Sequence, residues 1–134
     1  MVQFDHEKLE VYQVAAEYSD AADSIAAKLK PGNAHIRDQL RRASDSIVNN
    51  VAEGAGEFQP LEKARFYRMA LRSSTESAAS LHTCQRRQLA DLNAIEDARR
   101  MLKRVVEMLT RLIHAVGHRH KTDRDRDRAR DRAG

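Results

Sequence analysis

The sequence is poor in the residues that mark sheets, disulfide scaffolds and membrane spans. Three Tyr, three Phe, no Trp, two Pro and five Gly in 134 residues leave few strand formers and few chain breakers, which favours long helices over sheet. The single Cys84 cannot form an internal disulfide and suits the role of a small buried hydrophobe. No run of 18 apolar residues occurs, and the start "MVQFDHEKLE" has no basic segment followed by an apolar one. Neither membrane insertion nor export is therefore expected, and a cytoplasmic location is.

What is present is helical periodicity and charge. From Asp5 to Leu29, the positions Leu9, Tyr12, Ala15, Ala16, Ala22, Ile25, Ala26 and Leu29 share one helical face. "KPGN" ends that helix. Asn33 is placed to cap a second helix, along which Ile36, Leu40, Ala43, Ile47 and Val51 form a narrow stripe. "EGAGEFQP" stops it, and Pro60 opens a third helix running to about Gln88. Within that helix "SSTESAAS", Ser73 to Ser80, offers a core almost nothing bulky, so close helix approach is expected there. Asn93 and Glu96 have the form of a capping box for a fourth helix. Its seam is Ile95, Ala98, Leu102, Val105, Leu109, Leu112 and Val116, repeating by threes and fours as in bundle packing. Short connections force neighbours to run antiparallel, so the predicted fold is an all-α, up-down-up-down four-helix bundle over residues 1–117.

The formal charge of +4 is unevenly spread. Residues 118–134, "HRHKTDRDRDRARDRAG", hold seven Lys or Arg against four Asp, whereas the other 117 residues carry 17 basic and 16 acidic groups. The body is nearly neutral and the C-terminal tail is basic. Alternating signs put like charges at i, i+4 and opposite charges at i, i+3, so the tail reads as a frayed helix or as disordered chain.

Catalytic chemistry is hard to find in the sequence. No Glu-x-x-His occurs, so a di-iron bundle is not encoded. His114 and His118 stand at i, i+4 but read as solvated histidines near a helix end. The "GAG" of Gly54 to Gly56 lacks the Gly-Lys-Ser/Thr of a phosphate loop and reads as a chain reversal. No serine lies in a nucleophile-elbow sequence. Neither an enzyme nor a cofactor or metal is expected. Glu53 opposes the dipole of the helix it ends and calls for a cationic or hydrogen-bonding partner, Arg65 or Arg68 on the next helix or a residue of another subunit. Asn50 sits beside the apolar stripe, either as a satisfied structural amide or as a bond across the bundle. Arg41 and Arg42 read equally as phosphate contacts or as a solvated flank.

Three stretches, "LEVYQVA", "LRRASDSIVNNVAEGAG" and "FYRMALRSSTES", resemble a four-helix bundle protein family. That family was noticed in reading frames within intervening sequences of bacterial large-subunit ribosomal RNA genes. It is related to the accessory variability proteins of diversity-generating retroelements. The resemblance spans roughly residues 4 to 116, and its central motif falls on Leu40 to Ala43, Ser46, Ile47, Asn50 and Ala52 to Gly54. It implies an antiparallel protomer in a homopentameric ring with no catalytic residues. In it Asn50, Glu53, Gly54 and Gly56 fix the joint between helices two and three. Three departures stand out: Glu57 in place of a basic residue, Arg72 in place of a glycine, and a loop "RRQLADLN" without its glycine.

The function expected from this reading is a non-enzymatic oligomeric adaptor that binds RNA or a ribonucleoprotein, with a reverse transcriptase-like protein among the partners the resemblance implies. The candidate nucleic-acid contacts are Arg41, Arg42, Arg86, Arg87, Arg99, Arg100, Lys103 and Arg104. Few aromatics are available to stack bases, so binding would be led by phosphate contacts and weakened by salt. The alternative is a protein–protein scaffold that binds no nucleic acid, which the near-neutral body favours.

Overall fold

A computed structural model describes residues 1–134, and all of its regular elements are helical. A 3-10 turn (Asp5–Lys8) precedes α1 (Glu10–Ala27), and a second (Pro31–Asn33) precedes α2 (Ala34–Gly56). α3 (Pro60–Arg86) and α4 (Leu92–Ala133) complete a four-helix bundle.

α1 is shorter than expected at both ends. Leu9 has extended backbone, φ −74° and ψ 133°, and its N–H closes back onto the His6 carbonyl at 3.1 Å. At the other end, Arg37 from α2 donates to the carbonyls of Leu29 at 2.8 Å and of Ala26 and Lys30 at 3.4 Å. The Ala26 and Lys30 carbonyls also accept backbone N–H groups, from Leu29 at 3.1 Å and Asn33 at 2.9 Å, and a cation is a favourable further donor at that pole of the dipole.

Two predicted caps are corrected. Asn33 occupies the N-cap position of α2, but its side chain makes no capping bond. α4 is capped by Asp91, whose carboxylate accepts the Ala94 N–H at 3.0 Å, while Asn93 lies inside the first turn. Asp91 is two residues earlier, where the chain is still extended and a side-chain oxygen can reach back to the first free N–H groups.

The end of α3 explains how its loop manages without glycine. Gln88 takes φ 55°, the left-handed conformation that glycine usually supplies. Leu89 N–H bonds the Cys84 carbonyl at 2.9 Å and Gln88 N–H the Gln85 carbonyl at 3.2 Å. Together they form a Schellman motif, with Leu89 half-buried against the core as the hydrophobic contact such motifs favour.

The core contains Tyr18, Leu40, Ile47, Leu81, Ile95 and Leu109 as its largest enclosed side chains. α1 and α3 each pack on both α2 and α4, and the α2–α3 pairing is the most extensive. The small residues expected to permit close approach are enclosed: Ser73, Ser74, Ser77 and Ser80 are all buried. Ser46 and Ser73 hydrogen-bond across α2 and α3 at 2.8 Å. Ser77 reaches Tyr18 on α1, and Ser74 returns to the Ala70 carbonyl at 2.8 Å. Buried hydroxyls without such partners would oppose folding; Ser80 Oγ alone has none.

On α4, Ile95, Ala98, Leu102, Val105, Leu109 and Val116 are buried and Leu112 is half-buried, as the periodicity requires. The helix does not stop where burial does. It runs through Gly117 to Ala133 without a break, and no residue beyond Val116 is buried. At 1.5 Å per residue, roughly 25 Å of α4 projects past its last core contact.

Candidate nucleic-acid interface

The eight basic residues expected to meet nucleic acid do not form one surface. Arg99, Arg100 and Lys103 of α4 gather over Ser74, Thr75 and Ala78 of α3 around a groove of about 440 Å³. The groove exists because the small residues of α3 leave space that larger side chains would fill. Glu96 also lines it, and Arg100 pairs with Asp97 at 3.2 Å and with Glu96 at 4.0 Å, so its positive charge is partly compensated.

The others are dispersed. Arg41 is half-buried and bonds Asp23 at 2.8 Å, tying α2 to α1. Arg42 is exposed beside His35, Gln39 and Glu76. Arg86 and Arg87 are exposed at the end of α3, where cations complement the helix dipole. Arg104 pairs with Glu10 of α1 at 3.4 Å. Exposed pairs of this kind are worth at most about 1 kcal/mol each, but they occupy the guanidinium donors that a phosphate would use.

The joint between α2 and α3 is built differently from its sequence reading. Gly54 and Gly56 lie within α2, and only Glu57 to Gln59 span the reversal. Gly54 is there for close approach: a Cβ on it would stand 2.6 Å from Tyr67 Cε1 and 2.7 Å from Cδ1. A Cβ on Gly56 would meet nothing within 4 Å. Asn50 donates to the Ser46 carbonyl at 2.8 Å and to Ser46 Oγ at 3.1 Å, and so joins the hydroxyl pair that crosses to Ser73.

Glu53 has no ion pair and is exposed, contrary to its expected contact with Arg65 or Arg68. Arg65 instead bonds Glu62 at 3.0 Å; that hydrogen bond is the main cause of its raised pKa, and Glu53 acts on it only at longer range. The α2 terminus is satisfied by Lys63, whose ammonium donates to the carbonyls of Gly54 at 2.6 Å and Ala55 at 3.2 Å. Lys63 lies 5.7 Å from the centroid of the Tyr67 ring. Burial, and then repulsion from Arg119, push its pKa below the ordinary lysine value. Sequence reasoning missed Lys63; the available signal was a cation near the start of α3, where it opposes that helix's own dipole.

Cys84 is fully buried, and burial raises the pKa of its thiol, which disfavours the thiolate. His114 and His118 are both exposed, and nowhere do three His, Cys, Asp or Glu side chains converge. No helix is long and apolar enough to cross a membrane.

Among curated proteins none matches the chain. The model of one family, described as 23S rRNA-intervening sequence protein, matches residues 7–111, which takes in α1, α2, α3 and the first half of α4 and stops short of the projecting helix. With α1, α2, α3, the joint between α2 and α3 and most of its length within that match, the chain belongs to the 23S rRNA-intervening sequence protein family.

Proposed function

We propose that the protein is a non-enzymatic oligomeric adaptor that binds RNA or a ribonucleoprotein partner through basic surfaces. The observation that carries this reading is the projecting end of α4. Residues 118–134 hold seven Lys or Arg against four Asp, every ion pair in the protein lies at or before Arg104, and from Asp123 onward every residue is exposed. Its guanidiniums are free to meet phosphates, and the α3–α4 groove at Arg99 and Lys103 supplies a second, smaller basic surface. Such contacts position a nucleic acid without reading its sequence.

The protomer in this reading has helices that alternate in direction, because connections as short as Glu57 to Gln59 leave a chain little choice but to reverse. It assembles as a homopentameric ring. Exposed Phe58, Leu61 and Met69 on and before α3 support self-association, since apolar side chains left in water favour a partner surface. A reverse transcriptase-like protein is the kind of ribonucleoprotein component such a ring would serve.

A protein–protein scaffold without nucleic acid is the second reading, favoured by the ion pairs that already engage Arg41, Arg100 and Arg104. Titration of the full chain with single-stranded RNA at low and at physiological salt separates the two. Tight binding that weakens steeply with salt is the adaptor result; no binding at low salt leaves the scaffold. Light scattering tests the ring, with five protomer masses expected and a single protomer mass contradicting it.

A further inference from the structure

α1 is the shortest helix, 18 residues against 27 in α3, and its start is held to α4 by the Glu10–Arg104 pair. α4 continues well past that pair, and the stretch from Met108 to Arg119 borders a groove of about 520 Å³. Leu9 and Val11 form one wall; Ala55, Lys63 and Tyr67 form the other. Met108 and Leu112 are half-buried on the floor with Val116 enclosed beneath. Leu9, apolar and 40% exposed, stands at the edge.

The rim is cationic, and two of its three cations are uncompensated: Lys63 already donates to the Gly54 and Ala55 carbonyls and feels Glu57, whereas Arg111 and Arg119 have no such partner. Lys63, Arg111 and Arg119 all line the groove, and none of them is in an ion pair. The one carboxylate there, Glu10, is already engaged by Arg104. Burial is the main cause of the lowered Lys63 pKa and repulsion from Arg119 the second, with Glu57 opposing both, so a further negative group beside Arg111 and Arg119 would ease that repulsion. In the α3–α4 groove, by contrast, Glu96 and Asp97 already balance Arg100.

We propose that this groove docks an acidic amphipathic helical segment of a partner protein. The apolar side chains of that segment would lie against Leu9, Met108 and Leu112, and its carboxylates would meet Lys63, Arg111 and Arg119. From Met108 to Arg119 the floor is roughly 16 Å long at 1.5 Å per residue, enough for about three helical turns. The chain's own N-terminal segment is a poorer occupant: Met1, Val2 and Phe4 are apolar and exposed, but residues 1–4 carry no carboxylate to meet the cations. RNA is poorly suited as well, because the floor offers aliphatic rather than stacking surface. The docking site therefore goes beyond the RNA-binding reading and does not depend on it.

The test uses the full chain and two dye-labelled designed peptides of about three turns with the same leucine face, one flanked by glutamates and the other by lysines. Anisotropy should show the glutamate peptide binding at least tenfold tighter than the lysine peptide. In Arg111→Glu/Arg119→Glu, a surface double variant whose fold is checked by circular dichroism, the preference should reverse. Equal binding of the two peptides, or an unchanged preference in the variant, overturns the proposal. So does displacement of the acidic peptide by stoichiometric RNA, which would make the groove part of a nucleic-acid surface, or by octanoate at lower concentration than an unlabelled peptide, which would make it a fatty-acid site. Failure of RNA to bind leaves all these outcomes readable.

Discussion

The two halves of α4 are one continuous helix held in different ways. From Ile95 to Val116 its seam is apolar and buried, and the rest of the bundle specifies its conformation. The same stepping by threes and fours then lands on His120, Asp123, Asp127 and Asp131, none of which is buried and of which the three aspartates are exposed. Like charges stand at i, i+4 in pairs such as Asp123–Asp127 and Arg124–Arg128, while opposite charges at i, i+3 such as Asp123–Arg126 form no ion pair. Helicity in the first half is a consequence of packing. In the second it rests on continuation from the first, because extending a formed helix needs no new nucleus.

The comparison can be broken most severely in the packed half. Leu109 is fully buried, and Leu109→Ala should cost about 2–5 kcal/mol through reduced burial and a residual cavity, read as a lower thermal midpoint. The same readout should barely respond in the projecting half: Arg126→Pro should remove helical circular dichroism yet leave the midpoint within about 0.5 kcal/mol. A large loss of stability from Arg126→Pro would mean that the projection is packed in solution.

A pH test sharpens the account of what the bundle encloses. Tyr18 is completely buried, and its pKa is pushed up to about 12, chiefly by loss of solvation and despite its bond to Ser77. Between the unfolded value near 10 and 12, the folded state holds a proton that the unfolded state has lost, so stability falls as pH rises. The loss is about 2–3 kcal/mol across that window. Urea melts at pH 9 and 11.5 should show it, and Tyr18→Phe should flatten the difference.

Smaller effects separate two kinds of special backbone position. Gly54→Ala drives a methyl against the buried Tyr67 ring and should destabilise by about 1–2 kcal/mol, whereas Gly56→Ala meets nothing and should be neutral or slightly stabilising. Gln88→Gly, at φ 55°, should stabilise by about 0.5–1 kcal/mol. Thermal melts of all three variants check these signs.

The core seams of α2 and α4 and the small-residue face of α3 were legible in the sequence because apolar spacing reports directly on which side of a helix is covered. The chain reversals were legible only approximately. Asp91 caps α4 in place of Asn93, and Gln88 stands in for a missing glycine, because both choices depend on backbone angles that local composition does not determine. Lys63 could not be assigned to the α2 terminus from sequence, since its partners are carbonyls eight and nine residues away that look like any others. The basic residues were identifiable one by one. Their grouping was not, because Arg41 and Arg104 turn to carboxylates on α1 while Arg99, Arg100 and Lys103 converge over α3.

The division of labour between a packed bundle and a projecting basic helix is tested most directly by the salt dependence of RNA binding. The full chain would be compared with a variant in which Arg124, Arg126, Arg128, Arg130 and Arg132 are all replaced by Gln. The account predicts binding whose logarithm falls linearly with the logarithm of salt, with a slope shallower by about 0.7 for each phosphate that the variant no longer neutralises. Identical slopes for the two proteins would contradict it and would place any nucleic-acid contact on the bundle itself.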